Sequence, residues 1–178
     1  DHIDALDRII THVQFRPGQT VFDEGDLAPY VYNISRGHVR LFKLLQDGRR
    51  QITGFLNPGD FLGLAARKTY AYSAEAISDA DLCRFKVAEL EELLTERPPV
   101  RERLYEMAND ELAAAQEQML CLGRKTAKER VASFLIGQLR HAADCGAGDA
   151  AFDLAMSRSD IADYLGLTIE TVSRTFTA

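Results

Sequence analysis

The sequence lacks the marks of a membrane protein, a secreted scaffold and a bulk binder of polyanions. No apolar run in its 178 residues approaches the roughly 20 needed to cross a bilayer. No basic-then-apolar leader opens it. Cysteine is scarce: Cys83, Cys121 and Cys145 are odd in number and widely spaced, which excludes a disulfide framework and fits a reducing cytosol. Positive charge is in deficit, with 21 Lys and Arg against 27 Asp and Glu, so coating nucleic acid or anionic lipid by bulk attraction is excluded. His2, His12, His38 and His141 show no ligand spacing, which disfavours haem. A cupin-like metal enzyme needs His and Glu alternating along strands, and only His38 falls in an expected one. No nucleophile–base pairing or phosphate loop stands out, so the chain does not read as an enzyme. The expectation is a cytoplasmic protein with no membrane partner.

What is present is divided unevenly. Residues 1–122 hold 14 basic against 20 acidic side chains, and residues 123–178 hold 7 against 7. The acidity thus belongs to the front, and a local basic surface at the back remains available. Glycine punctuates residues 16–63, and between the glycines lie short β-branched and aromatic runs: "QTVF", "YVYNIS", "HVRLFKLL" and "RQITGF". Tyr30, Tyr32 and Ile34 alternate with Asn33 and Ser35, a period of two. "QDGR" and "NPGD" supply tight turns, and "YSAEAIS" and "DLCRF" flank Asp79 as a last strand pair. Strands of this length and spacing predict an antiparallel barrel or roll.

From Pro99 the pattern changes to a long helix, with Pro98-Pro99 at its start and Gly123 as its stop signal. Tyr105, Leu112 and Met119 fall seven apart, as do Ala108, Ala115 and Leu122, an a/d heptad. Such a stripe serves either packing on the chain's own roll or pairing with a second copy. Glu106, Asp110, Glu111 and Glu117 crowd this helix with carboxylates, which would weaken a pair in which they face one another.

The last segment, "SRSDIADYLGLTIETVSRTF", predicts two short helices around a turn. Ser157 and Asp160 approximate a capping box, Ile161, Ala162 and Leu165 face inward, and Gly166 permits the sharp turn. Thr168 caps a second helix whose buried stripe is Ile169, Val172 and Phe176. That is a helix-turn-helix. The second helix then presents Glu170, Ser173 and Arg174, with Thr171 beside them, and these side-chain types can read base edges. A Glu and an Arg four apart also suit a surface ion pair. Arg158, Thr168, Thr171 and Lys128 are the candidates for phosphate contacts, which position without specifying.

The stretch from "PGQTVFDEGD" to "NPGDFLG" closely resembles the cyclic-nucleotide-binding-type β-roll of the CRP/FNR family of transcription regulators. "RKTAKERVASFL" and the E-x-x-S-R pattern at 170–174 resemble its FNR (FnrN/FixK-like) branch. The resemblance spans nearly the whole chain in order. It implies an α+β fold: a β-roll effector domain over 1–97, a coiled-coil dimerisation helix over 98–122, and a winged helix-turn-helix over 123–178. The last is expected to be incomplete at its C-terminus, the chain reading as a fragment trimmed at both ends. It further implies a homodimer joined through Tyr105, Ala108, Leu112, Ala115, Met119 and Leu122. The partners implied are double-stranded DNA carrying TTGAT half-sites as an inverted repeat, and RNA polymerase.

Cyclic-nucleotide-binding members carry Gly-Glu for the ribose and Arg-Ser for the cyclic phosphate. Here those pairs are Gly63-Leu64 and Tyr72-Ser73, so a buried phosphate would have no cation and no cyclic nucleotide is expected. FNR proteins hold an oxygen-labile [4Fe–4S] cluster with three clustered cysteines near the N-terminus and one in the roll. Cys83 falls where that fourth ligand belongs, although a small buried strand residue needs no such role. The three others would precede Asp1. FixK-like members have the same DNA-reading pattern without a cluster, controlled by their own synthesis or by thiol oxidation. A nitric-oxide or haem sensor of the same fold is a third reading, and a β-roll module that dimerises partners without DNA is an alternative outside DNA binding.

Overall fold

The computed structural model describes residues 8–64, 68–144 and 154–177, so Cys145 and His2 lie outside the described residues. The strands are β1 (Thr11–Phe15), β2 (Thr20–Phe22), β3 (Tyr30–Arg36), β4 (Val39–Leu44), β5 (Arg50–Leu56), β6 (Phe61–Leu62), β7 (Ser73–Ala76) and β8 (Ala80–Lys86). The helices after them are α1 (Val87–Glu96), α2 (Pro98–Arg124), α3 (Ala127–Asp144), α4 (Arg158–Leu165) and α5 (Ile169–Phe176). The strands pair antiparallel in two four-stranded sheets ordered β1-β8-β3-β6 and β2-β7-β4-β5. This is the expected α+β chain headed by an antiparallel roll. Two compact units, Asp1–Glu111 and Leu112–Ala178, divide inside α2.

The roll closes because its inward residues are large and apolar. Tyr32 and Ile34 of β3 meet Phe22, Val39, Leu41, Leu62, Tyr70 and Leu82 in one buried cluster. Val31 departs from the simple alternation: it is buried too, on the opposite face, against Phe85 and Leu90. The cover there is α1, whose Leu90 and Leu93 are buried three residues apart on one helix face. The β3–β4 turn needs glycine. Gly37 has φ +86°, and a Cβ there would sit 2.2 Å from the Asp79 carbonyl oxygen and 2.7 Å from Ala80 Cα.

Helix α2 starts at Pro98 and runs through Gly123 to Arg124, so Gly123 is not its stop signal. One interior glycine costs a helix only about 1 kcal/mol relative to Ala, and flanking turns outvote it. The chain turns instead at a capping box that opens α3. The Thr126 N–H donates to Glu129 Oε2 at 2.7 Å, and the Glu129 N–H to Thr126 Oγ1 at 3.4 Å. In the second unit Cys121, Val131, Phe134, Ile161, Leu165 and Val172 are buried. Among the described residues no helix is long and apolar enough to cross a membrane.

Candidate nucleic-acid interface

Helix α4 begins at Ser157. Its Oγ accepts the Asp160 N–H at 3.1 Å and donates to Asp160 Oδ2 at 2.7 Å, while Asp160 Oδ2 also accepts the Ser157 N–H at 3.1 Å. The helix ends at Gly166, left-handed at φ 61° and ψ 41°, whose N–H returns to the Ala162 carbonyl. Two residues later Thr168 Oγ1 accepts the Thr171 N–H at 3.2 Å and starts α5. Between the helices, Ile161, Ala162, Leu165 and Val172 form the buried side. Ile169 does not join it as expected: it is 47% exposed. As the first residue after the cap it precedes the turn that Val172 anchors, so its side chain lies beyond the edge of the buried face.

The opposite side of α5 carries the candidate base readers. Glu170 and Arg174 are exposed and Ser173 is partly covered; positions i, i+3 and i+4 bring the three onto one face. The Glu170 carboxyl is held below its ordinary range, chiefly by its own backbone N–H, then by the Thr168 hydroxyl, with Arg174 contributing least. It is therefore ionised and able to accept from a cytosine amino group. The candidate phosphate contacts are dispersed. The Thr168 and Thr171 hydroxyls bond each other at 3.1 Å at the head of α5. Arg158 lies with its guanidinium carbon 5.9 Å from the Phe176 ring centroid. Lys128 is exposed in the first turn of α3.

One residue that sequence reasoning passes over is Arg130 on α3. Its Nε donates to the Lys125 carbonyl at 2.9 Å, Nη1 to Leu165 at 2.9 Å and Nη2 to Leu122 at 2.8 Å. In sequence it is one more cation in "KTAKER", with nothing to distinguish it from Lys128.

Along α2 the heptad stripe is open. Tyr105 is 70% exposed, Leu112 57% and Met119 65%; Ala108 and Ala115 are exposed as well. Leu122 is half-buried within its own unit. Of the carboxylates, Glu106 pairs with Arg103 at 3.0 Å. Desolvation, then the Asp60 carboxylate, raise the Glu111 carboxyl above its usual range.

Gly63, Tyr72 and Ser73, from the two pairs where no cyclic nucleotide is expected to bind, make structural contacts here. Ser73 is buried and its Oγ accepts the Glu24 N–H at 2.9 Å. Tyr72 Oη accepts the Gly63 N–H at 3.2 Å, and burial raises its phenol pKa. Phe22 and Tyr70 stack at 3.7 Å between ring centroids. Cys83 is half-buried, its Sγ 3.7 Å from Nδ1 of His12. His12 lies in a strand, β1, opposite Cys83, whereas His38, the one histidine expected in a strand, stands just before β4. A cubane cluster needs four ligands, typically thiolates. Among the described residues no group of three or more His, Cys, Asp or Glu could hold a metal. The described residues do not by themselves supply the ligands of such a cluster.

Residues 12–97 match the cyclic nucleotide-binding domain, and residues 154–178 match the bacterial regulatory proteins of the crp family. The chain is 51% identical to the nitrogen fixation regulation protein FixK of Bradyrhizobium diazoefficiens over 93% of its own length and 70% of that protein. It is 45% identical to the transcriptional activatory protein AadR of Rhodopseudomonas palustris, over 99% of its length and 74% of that protein. The solved structure of FixK2 from Bradyrhizobium japonicum superposes with a TM-score of 0.85 at 42% identity, covering 95% of this chain and 83% of that one.

Proposed function

Because the chain belongs to the CRP/FNR family of transcription regulators, we propose that it acts as a homodimeric, cytoplasmic regulator of the FNR type that reads TTGAT-like inverted repeats. The observation that carries this reading is the pairing of a buried Val172 with an exposed Glu170–Arg174 face on a capped helix. A short rod so mounted enters the major groove, where Glu accepts from cytosine, Arg forks onto guanine and Ser serves either. Arg158, Lys128 and the paired Thr168 and Thr171 hydroxyls contact phosphates.

The open stripe from Tyr105 to Leu122 pairs with its copy, and the two reading helices then stand about one DNA turn apart. The sensor domain is 1–97, the pairing helix 98–122 and the reading domain 123–178. The roll takes no cyclic nucleotide, since Ser73 is already bonded to Glu24 and Tyr72 stands in the place of the phosphate-binding arginine. RNA polymerase is the second partner.

The signal is oxygen or cellular redox state. In the FNR manner Cys83 would supply one thiolate to a [4Fe–4S] cluster, whose remaining ligands the described residues do not provide. A second reading, a FixK-like regulator without a cluster, is favoured by Cys83 facing His12 rather than another thiol. The test is fluorescence anisotropy on a TTGAT inverted repeat and on a scrambled duplex. Preference for the repeat is expected, and equal binding would overturn the reading. The visible spectrum of longer protein purified without oxygen separates the two signals: cluster absorption supports the first, a colourless active dimer the second.

A further inference from the structure

A helix end leaves its last carbonyls without intrahelical partners and carries partial negative charge. At the end of α4, Ala162 is satisfied locally by the N–H groups of Gly166 and Leu167. Two of the carbonyls after it are taken by side chains from other helices. Tyr164 accepts from Gln118 Nε2 of α2 at 2.9 Å, and Leu165 from Arg130 Nη1 of α3 at 2.9 Å. The same guanidinium binds Leu122 and Lys125, at and just past the end of α2. One planar cation thus joins two helix ends of the same sign. Phe134 of α3 and Tyr164 add an apolar contact, with ring centroids 5.8 Å apart.

We infer that Arg130, helped by Gln118, is a positioning residue: a polar clasp that sets the angle of the reading helix on the end of the pairing helix. Leu165 immediately precedes Gly166, the turn from which α5 departs. A rotation of α4 and α5 against α2 therefore breaks the bonds at Tyr164 and Leu165 together. In a dimer paired through α2, that angle decides how far apart the two reading helices stand. The clasp does not touch bases; it governs half-site spacing. Lysine is no substitute, because one ammonium cannot reproduce a rigid fork reaching three carbonyls.

This inference rests on the assignment of α5 as the reading helix, and the experiment separates the two. Full-length wild type, Arg130→Lys and Gln118→Ala are titrated against inverted repeats with the best half-site spacing, the same half-sites moved by one base pair, and repeats with one half-site scrambled. With Arg130→Lys, the preference for the best spacing is expected to fall by about tenfold, equivalent to about 1.4 kcal/mol, while preference for intact half-sites persists. Gln118→Ala shifts the same ratio less, and decides the matter if Arg130→Lys does not fold. An unchanged spacing ratio in both variants overturns the clasp, as does an equal loss on every duplex that tracks a lowered melting temperature. A wild type indifferent to half-site sequence removes the reading-helix assignment first, and the clasp falls with it.

Discussion

Truncating Arg174 to alanine separates reading from folding more cleanly than any other change in the second unit. The side chain is exposed in the last turn of α5, and Glu170 draws its hydrogen bonds from its own N–H and Thr168. Its loss leaves no buried group unpaired, so folding stability should move by no more than about 0.5 kcal/mol. On DNA the change is larger. A bidentate arginine–guanine contact gives about 1–3 kcal/mol of discrimination, and a symmetric dimer makes it twice, about 2–6 kcal/mol in all. Affinity for the specific repeat should then drop by about thirtyfold at the least and about twenty-thousandfold at the most. Affinity for a scrambled duplex should fall only slightly. The assay is anisotropy titration on both duplexes beside a thermal melt. An equal loss on both, or a melting temperature lowered by several degrees, would refute the reasoning. Lys128→Ala is the contrast: it should weaken both duplexes alike and shallow the salt slope by about 0.9 for each phosphate no longer neutralised.

Leu112→Lys should leave the single chain folded, because Leu112 is already exposed there, while turning the dimer into monomer in sedimentation velocity. Gly37→Ala forces a methyl against the Asp79 carbonyl at a positive φ and should destabilise the roll by on the order of 3 kcal/mol, read as a large drop in its melting temperature. Glu129 is held below its ordinary pKa by the Thr126 N–H, then by the Thr126 hydroxyl. A carboxyl depressed in the folded state stabilises above its unfolded pKa and loses that contribution as pH falls through the folded one. The melting difference between wild type and Glu129→Gln should therefore hold from neutrality down to about pH 5 and shrink as pH falls below the unfolded carboxyl's value of about 4.3.

The roll was legible because its turns are chemically marked. Glycines and the Asp-Gly and Pro-Gly pairs bracket β2 to β5, and β7 and β8 flank Asp79. Elements without such marks were not. β6 has only two residues, Phe61 and Leu62, and β1, "THVQF", is recognisable chiefly by its register with β8. Helix α1 shows in sequence as a leucine-rich run, but the fact that it buries Val31 from outside the roll depends on tertiary placement. That cover is why β3 fails to alternate cleanly. In the reading domain the caps at Ser157 and Thr168 were legible, since they depend on neighbours three residues away. Arg130 and Gln118 were not, since their acceptors lie up to 46 residues off.

Charge and geometry divide the work of binding along the chain. The excess of acidic side chains lies wholly in residues 1–122, and residues 123–178 are neutral. Long-range attraction to a polyanion is therefore weak, and the front of the chain opposes it. A regulator so charged cannot rely on non-specific adhesion, so base contacts and correct half-site spacing must supply a larger share of its affinity. An eight-residue helix such as α5 has no stability of its own, and its direction comes entirely from the turn at Gly166, the burial of Val172 and the bonds at the end of α4. If α2 pairs as proposed, a signal that loosens the pair costs both half-sites at once, because one reading face held without its twin lacks the electrostatic surplus to stay bound. On that reading a modest shift in dimerisation is sufficient for control, where a strongly basic protein would need a larger one.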